Sequence, residues 1–101
     1  MILVREIFEV KFGKMKDALG LVKEANGFMN PQDHDSGRVC TDMTGPFYTL
    51  VLESTFKNLT DYEDREKSIS KNGDWKEWYS KFVPLIDNGR REIYSIVENS
   101  R

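Results

Sequence analysis

The stretch "ILVREIFEVKF", residues 2 to 12, alternates like a β-strand yet is apolar on both faces. Val4, Phe8, Val10 and Phe12 fall on one side, and Leu3 and Ile7 fall on the other with Arg5 and Glu9. A strand of this kind needs cover on both sides, which places it inside a sheet rather than on a solvated edge. Two charges interrupt it at adjacent positions, Arg5 and Glu6. Neighbouring side chains on a strand point to opposite faces, so the two charges serve different surroundings.

The rest of the chain supplies the partners for that strand. Gly13 ends it, and the period becomes helical, with Met15, Ala18, Leu19, Val22 and Ala25 on one stripe. Asn26-Gly27 is a stop signal, and Pro31 lies beyond it. A polar segment, "NPQDHDSG", leads to a second strand at about Arg38 to Met43; "TGP" turns into a third, "FYTLVLESTF", from Phe47 to Phe56. Asn58 is a candidate N-cap for a helix with a narrow stripe of Leu59, Tyr62 and Ile69. Asn72-Gly73 breaks that helix. Asp74 is the expected cap of a third helix bearing Trp75, Trp78, Tyr79 and Phe82, and Pro84 ends or kinks it. Gly89 precedes a last strand, "RREIYSIVE", residues 90 to 98. The order β-α-β-β-α-(α)-β predicts an α+β, ferredoxin-like fold for residues 1–101 as a single domain. Helices should cover one face of a four-stranded antiparallel sheet whose first and third strands are central.

Composition narrows the function classes. The chain has 101 residues, 39% hydrophobic and 32% charged, a soluble globular balance. A net charge of −2 offers no electrostatic footprint for nucleic acid, and Arg90-Arg91 reads as solvated surface among acids. The longest apolar run is the four residues Met1 to Val4, too short to span a membrane, and Arg5 and Glu6 interrupt any signal-peptide core. One cysteine, Cys40, excludes an intrachain disulfide and a cysteine-based zinc site. A reduced, cytoplasmic protein is the simplest expectation.

The alternation places Tyr48, Leu50 and Leu52 toward the helices. It sets Phe47, Thr49, Val51 and Glu53 on the other face with Leu3, Arg5, Ile7 and Val39. Left open, that face would be an apolar liability, and a second copy packed against it in a two-fold homodimer would remove it. Here the chain resembles the dimeric α/β-barrel superfamily. "VREIFEVKFGKMKDAL" and "TGPFYTLVLESTFKNLTDYED" are similar to its NIPSNAP-like and antibiotic-biosynthesis-monooxygenase-like members, as is "WKEWYSKFVPLIDNGRREIYSIVE". The resemblance implies a dimeric barrel, and a superfold hosting oxygenases, isomerases, haem-degrading enzymes, dismutases and regulatory binding domains. Its haem degraders use a helical histidine, which no helix here carries, and no cofactor is expected.

Several residues are candidates for function. Arg5 and Glu53 should meet across the central strands, as a register-fixing ion pair or as a ligand anchor. Ile7 and Val51 share that dimer-facing surface. Glu6 faces the helices, where a carboxylate is expensive unless partnered; it sits at a margin or a bulge, or lines a cleft as an acid or base. Trp75, Trp78, Tyr79 and Phe82 either form core or wall a pocket for a flat apolar molecule, with Tyr48, Tyr62 and Tyr94 offering hydroxyls. His34, in "QDHDS", has no second histidine to help it hold a metal, and Cys40 reads as a small buried residue. The expected function is binding of a small apolar or aromatic molecule in the sheet–helix cleft. The alternatives are a cofactor-independent monooxygenase or isomerase acting on such a molecule, or a structural or interaction protein with no ligand.

Overall fold

The computed structural model describes residues 1–29 and 37–98, so His34 lies outside the described residues. The elements are β1 (Ile2–Val10), α1 (Met15–Met29), β2 (Arg38–Thr41), β3 (Thr49–Phe56), α2 (Leu59–Ser70), α3 (Gly73–Phe82) and β4 (Ile86–Ser95), with a 3₁₀ turn over Val83–Leu85. The strands form one antiparallel sheet in the order β2-β3-β1-β4. β1 and β3 are central, as expected for the split βαβ arrangement.

Register assigns every strand residue to a face. Glu6 lies between Leu52 and Arg91, and Phe8 between Leu50 and Gly89, on the helix side. Arg5 lies between Glu53 and Glu92, and Ile7 between Val51 and Arg90, on the open side. Val39 pairs with Leu52 and so faces the helices, not the open face as the alternation had implied. The shift arises because β2 ends at Thr41 and β3 begins only at Thr49. Between them Asp42 Oδ1 accepts the Thr49 N–H at 2.8 Å. Phe47 therefore lies outside the strand, as does Phe12 beyond the end of β1, and both are exposed.

The main core joins Val10 and Leu50 of the sheet to Ala18, Val22 and Ala25 of α1 and Trp78 and Phe82 of α3. The Trp78 indole N–H donates to the Leu21 carbonyl, tying α3 to α1. Leu19 is exposed, so the α1 stripe is narrower than its apolar residues suggested. α1 also continues through Gly27, a residue a helix interior tolerates at about 1 kcal/mol. A second cluster packs Val4, Phe56 and Tyr62 under α2. Asn58 caps α2 as expected, accepting the Asp61 N–H at 2.9 Å. Asn72, rather than Asp74, caps α3 by accepting the Asp74 N–H at 2.8 Å.

β4 starts four positions earlier than the sequence suggested, because "DNG" reads as a turn while β1 supplies it with strand partners. Ile86 opposes Val10 and Asn88 opposes Glu9, which leaves Asp87 as the extra residue of a bulge. Gly89 is then inside the strand, with the Phe8 ring laid across it. A Cβ at residue 89 would sit 2.8 Å from Phe8 Cδ1. The Phe8 ring is also held edge-on by Phe82, at 5.1 Å between centroids. Gly89→Ala should therefore cost about 1–3 kcal/mol in urea denaturation. Adding Phe8→Leu should shrink that penalty, whereas equal costs in both backgrounds would mean the ring is not what the methyl meets.

Candidate functional site

The sheet and the C-terminal end of α3 do not close completely on one another. Between them is a cleft of about 470 Å³ lined by Glu6, Phe8, Tyr79, Phe82, Val83, Ile86, Asp87, Asn88, Gly89, Arg90 and Arg91. β1 places Glu6 and Phe8 in it by their shared parity, and β4 places Gly89 and Arg91 directly opposite them. The bulge adds Asp87, a residue that regular pairing would not have aimed there. Apolar rings and aliphatic groups make the walls and a charged pair makes a polar end, the usual make-up of a small-molecule site.

That polar end is centred on Arg91. Its Nε and Nη2 both reach Glu6 Oε2, at 2.8 and 2.7 Å. Glu6 Oε1 keeps no protein partner among the described residues. Arg91 Nη2 is 3.8 Å from Glu66 Oε1, too far for a hydrogen bond, and its guanidinium lies 5.6 Å from the Tyr62 ring centre. Burial works against the Arg91 charge, but Glu6, Tyr62 and Glu66 outweigh it and hold its pKa up. The Glu66 carboxyl is raised above 4.5, first by burial and then by the neighbouring Glu6, against the pull of Arg65 and Arg91. The buried Tyr62 hydroxyl has no hydrogen-bond partner, and its pKa is pushed up to about 12, chiefly by burial and then by Glu66 and Glu6.

The sequence-predicted residues divide among several places. Glu6 and Tyr79 line the cleft, with Phe82. Trp78 is core, stacked on Phe82, and Trp75 packs against that core with its ring stacked on Tyr79. Tyr62 sits behind the cleft beneath Arg91. Tyr48 is away from it, at the start of β3 beside Phe12 and Phe47. Tyr94 is on the opposite face, because it pairs with Leu3, and its hydroxyl donates to Glu92 Oε1 at 2.7 Å. Cys40 is exposed on the short edge strand β2 rather than buried.

Three residues in or beside the cleft were not read as functional from the sequence. Arg91 was half of a surface-looking Arg-Arg pair, and only its register with Glu6 gives it a partner. Glu66 stands one helical turn from Tyr62, a spacing that was legible in a stripe scored for apolar residues alone. Asp87 depends on a bulge that no residue type announces.

The open face carries its own charge row, one residue from each strand: Arg38, Glu53, Arg5 and Glu92. Arg38 Nη2 meets Glu53 Oε1 at 2.6 Å, Arg5 Nε lies 3.1 Å from Glu53 Oε2, and Arg5 Nη1 donates to Glu92 Oε1 at 3.3 Å. Arg5 Nε is within ion-pairing range but off the N–H direction, so it makes no hydrogen bond there. Glu92 is held below its ordinary range by hydrogen bonds from Tyr94 and Arg90. Among the described residues no cluster of histidine, cysteine or carboxylates suits a metal ion, and no helix is long and apolar enough to cross a membrane.

A raised carboxyl favours the folded state below its unfolded pKa and loses that contribution as pH rises through its folded value. Glu66 should thus weaken the fold at neutral pH relative to a neutral isostere. Glu66→Gln is expected to raise the midpoint of thermal unfolding at pH 7, with the gain disappearing as the pH falls below about 4.5. Tyr62→Phe removes a buried hydroxyl that has no partner, so it should leave stability at pH 7 unchanged or improved. It should also abolish a loss of stability that the wild type shows between pH 10 and about 12. Thermal melts across pH check both variants.

The fold recurs in known proteins. The NIPSNAP family model matches residues 6–101. A crystal structure of a NIPSNAP family protein from Agrobacterium tumefaciens superposes with a TM-score of 0.86 at 19% identity, over 98% of this chain and 88% of that one. An uncharacterized NIPSNAP domain protein from Burkholderia xenovorans gives 0.83 at 10% identity, over 100% and 99%. A putative antibiotic biosynthesis monooxygenase from Nitrosomonas europaea gives 0.74 at 12% identity, over 97% and 100%. Comparison with curated protein sequences finds no match. At these identities the structural likenesses establish the ferredoxin-like α+β fold. With the family model spanning nearly its whole length, the chain belongs to the NIPSNAP family.

Proposed function

We propose that this protein binds a small, largely aromatic molecule in the cleft between β1, β4 and the end of α3. The observation that carries this reading is the arrangement of that cleft. It holds about 470 Å³ walled by Phe8, Phe82, Tyr79, Val83 and Ile86, with the Glu6–Arg91 pair at its polar end. That volume lies within the range of small-molecule sites. A cofactor-independent oxygenase or isomerase would need the same cleft and a proton acceptor in it, a role Glu6 is placed to take. The monooxygenase named among the structural neighbours shares the fold that such chemistry would use.

The working unit is a homodimer joined through the open face. Leu3 and Val51 supply partly exposed apolar area there, Ile7 being already buried, and the charge row alternates in sign across all four strands. A two-fold axis parallel to the strands sets the row against its own reverse, cation over carboxylate, so one surface serves both copies. Cleft and dimer surface lie on opposite sides of the sheet and do not compete.

Native mass spectrometry of protein purified from its own cells should reveal a retained small molecule. Val83→Trp, at an exposed position on the cleft wall, should abolish that mass without unfolding the chain. An unloaded wild type that also ignores aromatic probes would overturn the reading. Light scattering at micromolar concentration should give twice the chain mass. Arg5→Ala leaves Glu53 and Glu92 facing one another with less positive charge between them. It should weaken the dimer by about 1–3 kcal/mol while sparing the cleft.

A further inference from the structure

The chemistry of the cleft narrows what occupies it, and the narrowing rests on the cleft being a ligand site. Two cations line it, and each already has a carboxylate: Arg91 is held by Glu6, and Arg90 Nε is 3.3 Å from Glu92 Oε2. The positive charge of each is thus balanced before a ligand arrives. The acceptors are less complete. Both Arg91 contacts fall on Glu6 Oε2, which leaves Oε1 with unused lone pairs in a carboxylate that lines the cleft and whose charge Arg91 already balances. An acceptor of that kind is best completed by a neutral O–H donor, since a second cation would meet Arg91 at close range. The rings of Phe8, Phe82 and Tyr79 line the same cleft, and Phe8 and Phe82 are fixed edge to face.

We propose that the cleft selects hydroxylated aromatic molecules, phenols and enols, by accepting their O–H at Glu6 Oε1. Glu66 is a positioning residue in this scheme, acting through Arg91 and never touching the ligand. The groups facing the Glu6 carboxylate and its neighbour are Arg91 from β4 and Tyr62, Arg65 and Glu66 from α2. With Glu66 Oε1 3.8 Å from Arg91 Nη2, the Arg91 charge is shared between two carboxylates.

Three bicyclic probes of matched shape test this on the wild-type protein by calorimetric titration: 2-naphthol donates a hydrogen bond, 2-methoxynaphthalene cannot, and 2-naphthoate is an anion. The expected order places 2-naphthol about tenfold or more ahead of 2-methoxynaphthalene, as a hydrogen bond to a charged group warrants, with 2-naphthoate weakest. Bound 2-naphthol should also emit as naphtholate, because its excited state gives its proton to an adjacent carboxylate. Glu6→Gln should reduce the preference for 2-naphthol several-fold and suppress that emission while 2-methoxynaphthalene still binds. Glu66→Gln should lower the naphtholate fraction without changing the affinity for 2-methoxynaphthalene. Equal binding of naphthol and its methyl ether would overturn the hydroxyl assignment and leave the cleft standing. Tighter binding of 2-naphthoate would likewise reassign the polar end to anions. If none of the three binds, the cleft itself is not a ligand site and both readings fall. The probe series needs no variant, so a misfolded Glu6→Gln protein would not spare the proposal.

Discussion

Everything in this molecule hangs on the pairing of β1, which lies between β3 and β4 and supplies charges to both sides of the sheet. On the helix side Glu6 meets Arg91 of β4; on the open side Arg5 meets Glu53 of β3 and Glu92 of β4. Each charge is matched by a neighbour at the same level of the ladder, which is the least expensive way to place an ionic group on a half-covered sheet. The two matches also oppose misregistration. A slip of one residue would carry Glu6 to the open side and Ile7 under the helices, and would break ion pairs on both faces at once.

The cleft follows from that register and from a mismatch in reach. α3 covers Val10 and Leu50 through Trp78 and Phe82, but it ends in the 3₁₀ turn at Val83–Leu85 before it can cover the edge strand. Gly89, with no side chain to fill the gap, lies beneath that end, and Phe8 leans into its place. The space is thus bounded by residues that the fold requires for other reasons. What makes it chemical is the Arg91 cluster, in which two carboxylates, a guanidinium and a buried tyrosine hydroxyl share one region beneath α2. The two carboxylates meet different surroundings there. Glu6 has Arg91 in direct contact, whereas Glu66 holds it only at 3.8 Å and carries the burial cost.

Much of this was legible in the residues, and the exceptions have physical causes. The order of elements, the central position of β1 and β3 and the Arg5–Glu53 pairing follow from periodicity and strand ends, because alternation over eight or nine residues leaves few registers. The helix-side placement of Glu6 follows from the same parity. Tyr94, offered as a hydroxyl for the cleft, lies on the open face, a parity that cannot be read from a strand whose start is hidden in turn residues. Asp87-Asn88-Gly89 carries turn chemistry, yet the sheet overrides it with ladder partners from β1. The aromatic stripe on α3 illustrates a different limit. Its spacing cannot say that Trp78 spends its ring and its N–H on the core while Tyr79 is left to wall a cleft. Side chains at such spacings share a helix face, but where the neighbouring element stops decides which of them is covered.

The adjacent arginines of β4 repeat the logic of the adjacent charges of β1. Arg90 points to the open face and meets Glu92, and Arg91 points to the helix face and meets Glu6. In both strands a pair that looks like one polar patch in sequence is divided by the pleat between two environments. The division has a consequence for how the surface can change. Substitutions of Arg5 or Glu53 act on the open face without touching the cleft, and substitutions of Glu6 or Arg91 act on the cleft without touching that face, while Glu92 reaches both through Arg90. β1 and β4 are the elements common to both. A family built on this sheet can therefore alter its ligand while keeping its assembly surface, provided that the register of β1 is held. Gly89 and the Asp87 bulge, which set how β4 lies against it, are then the positions where the two properties remain coupled.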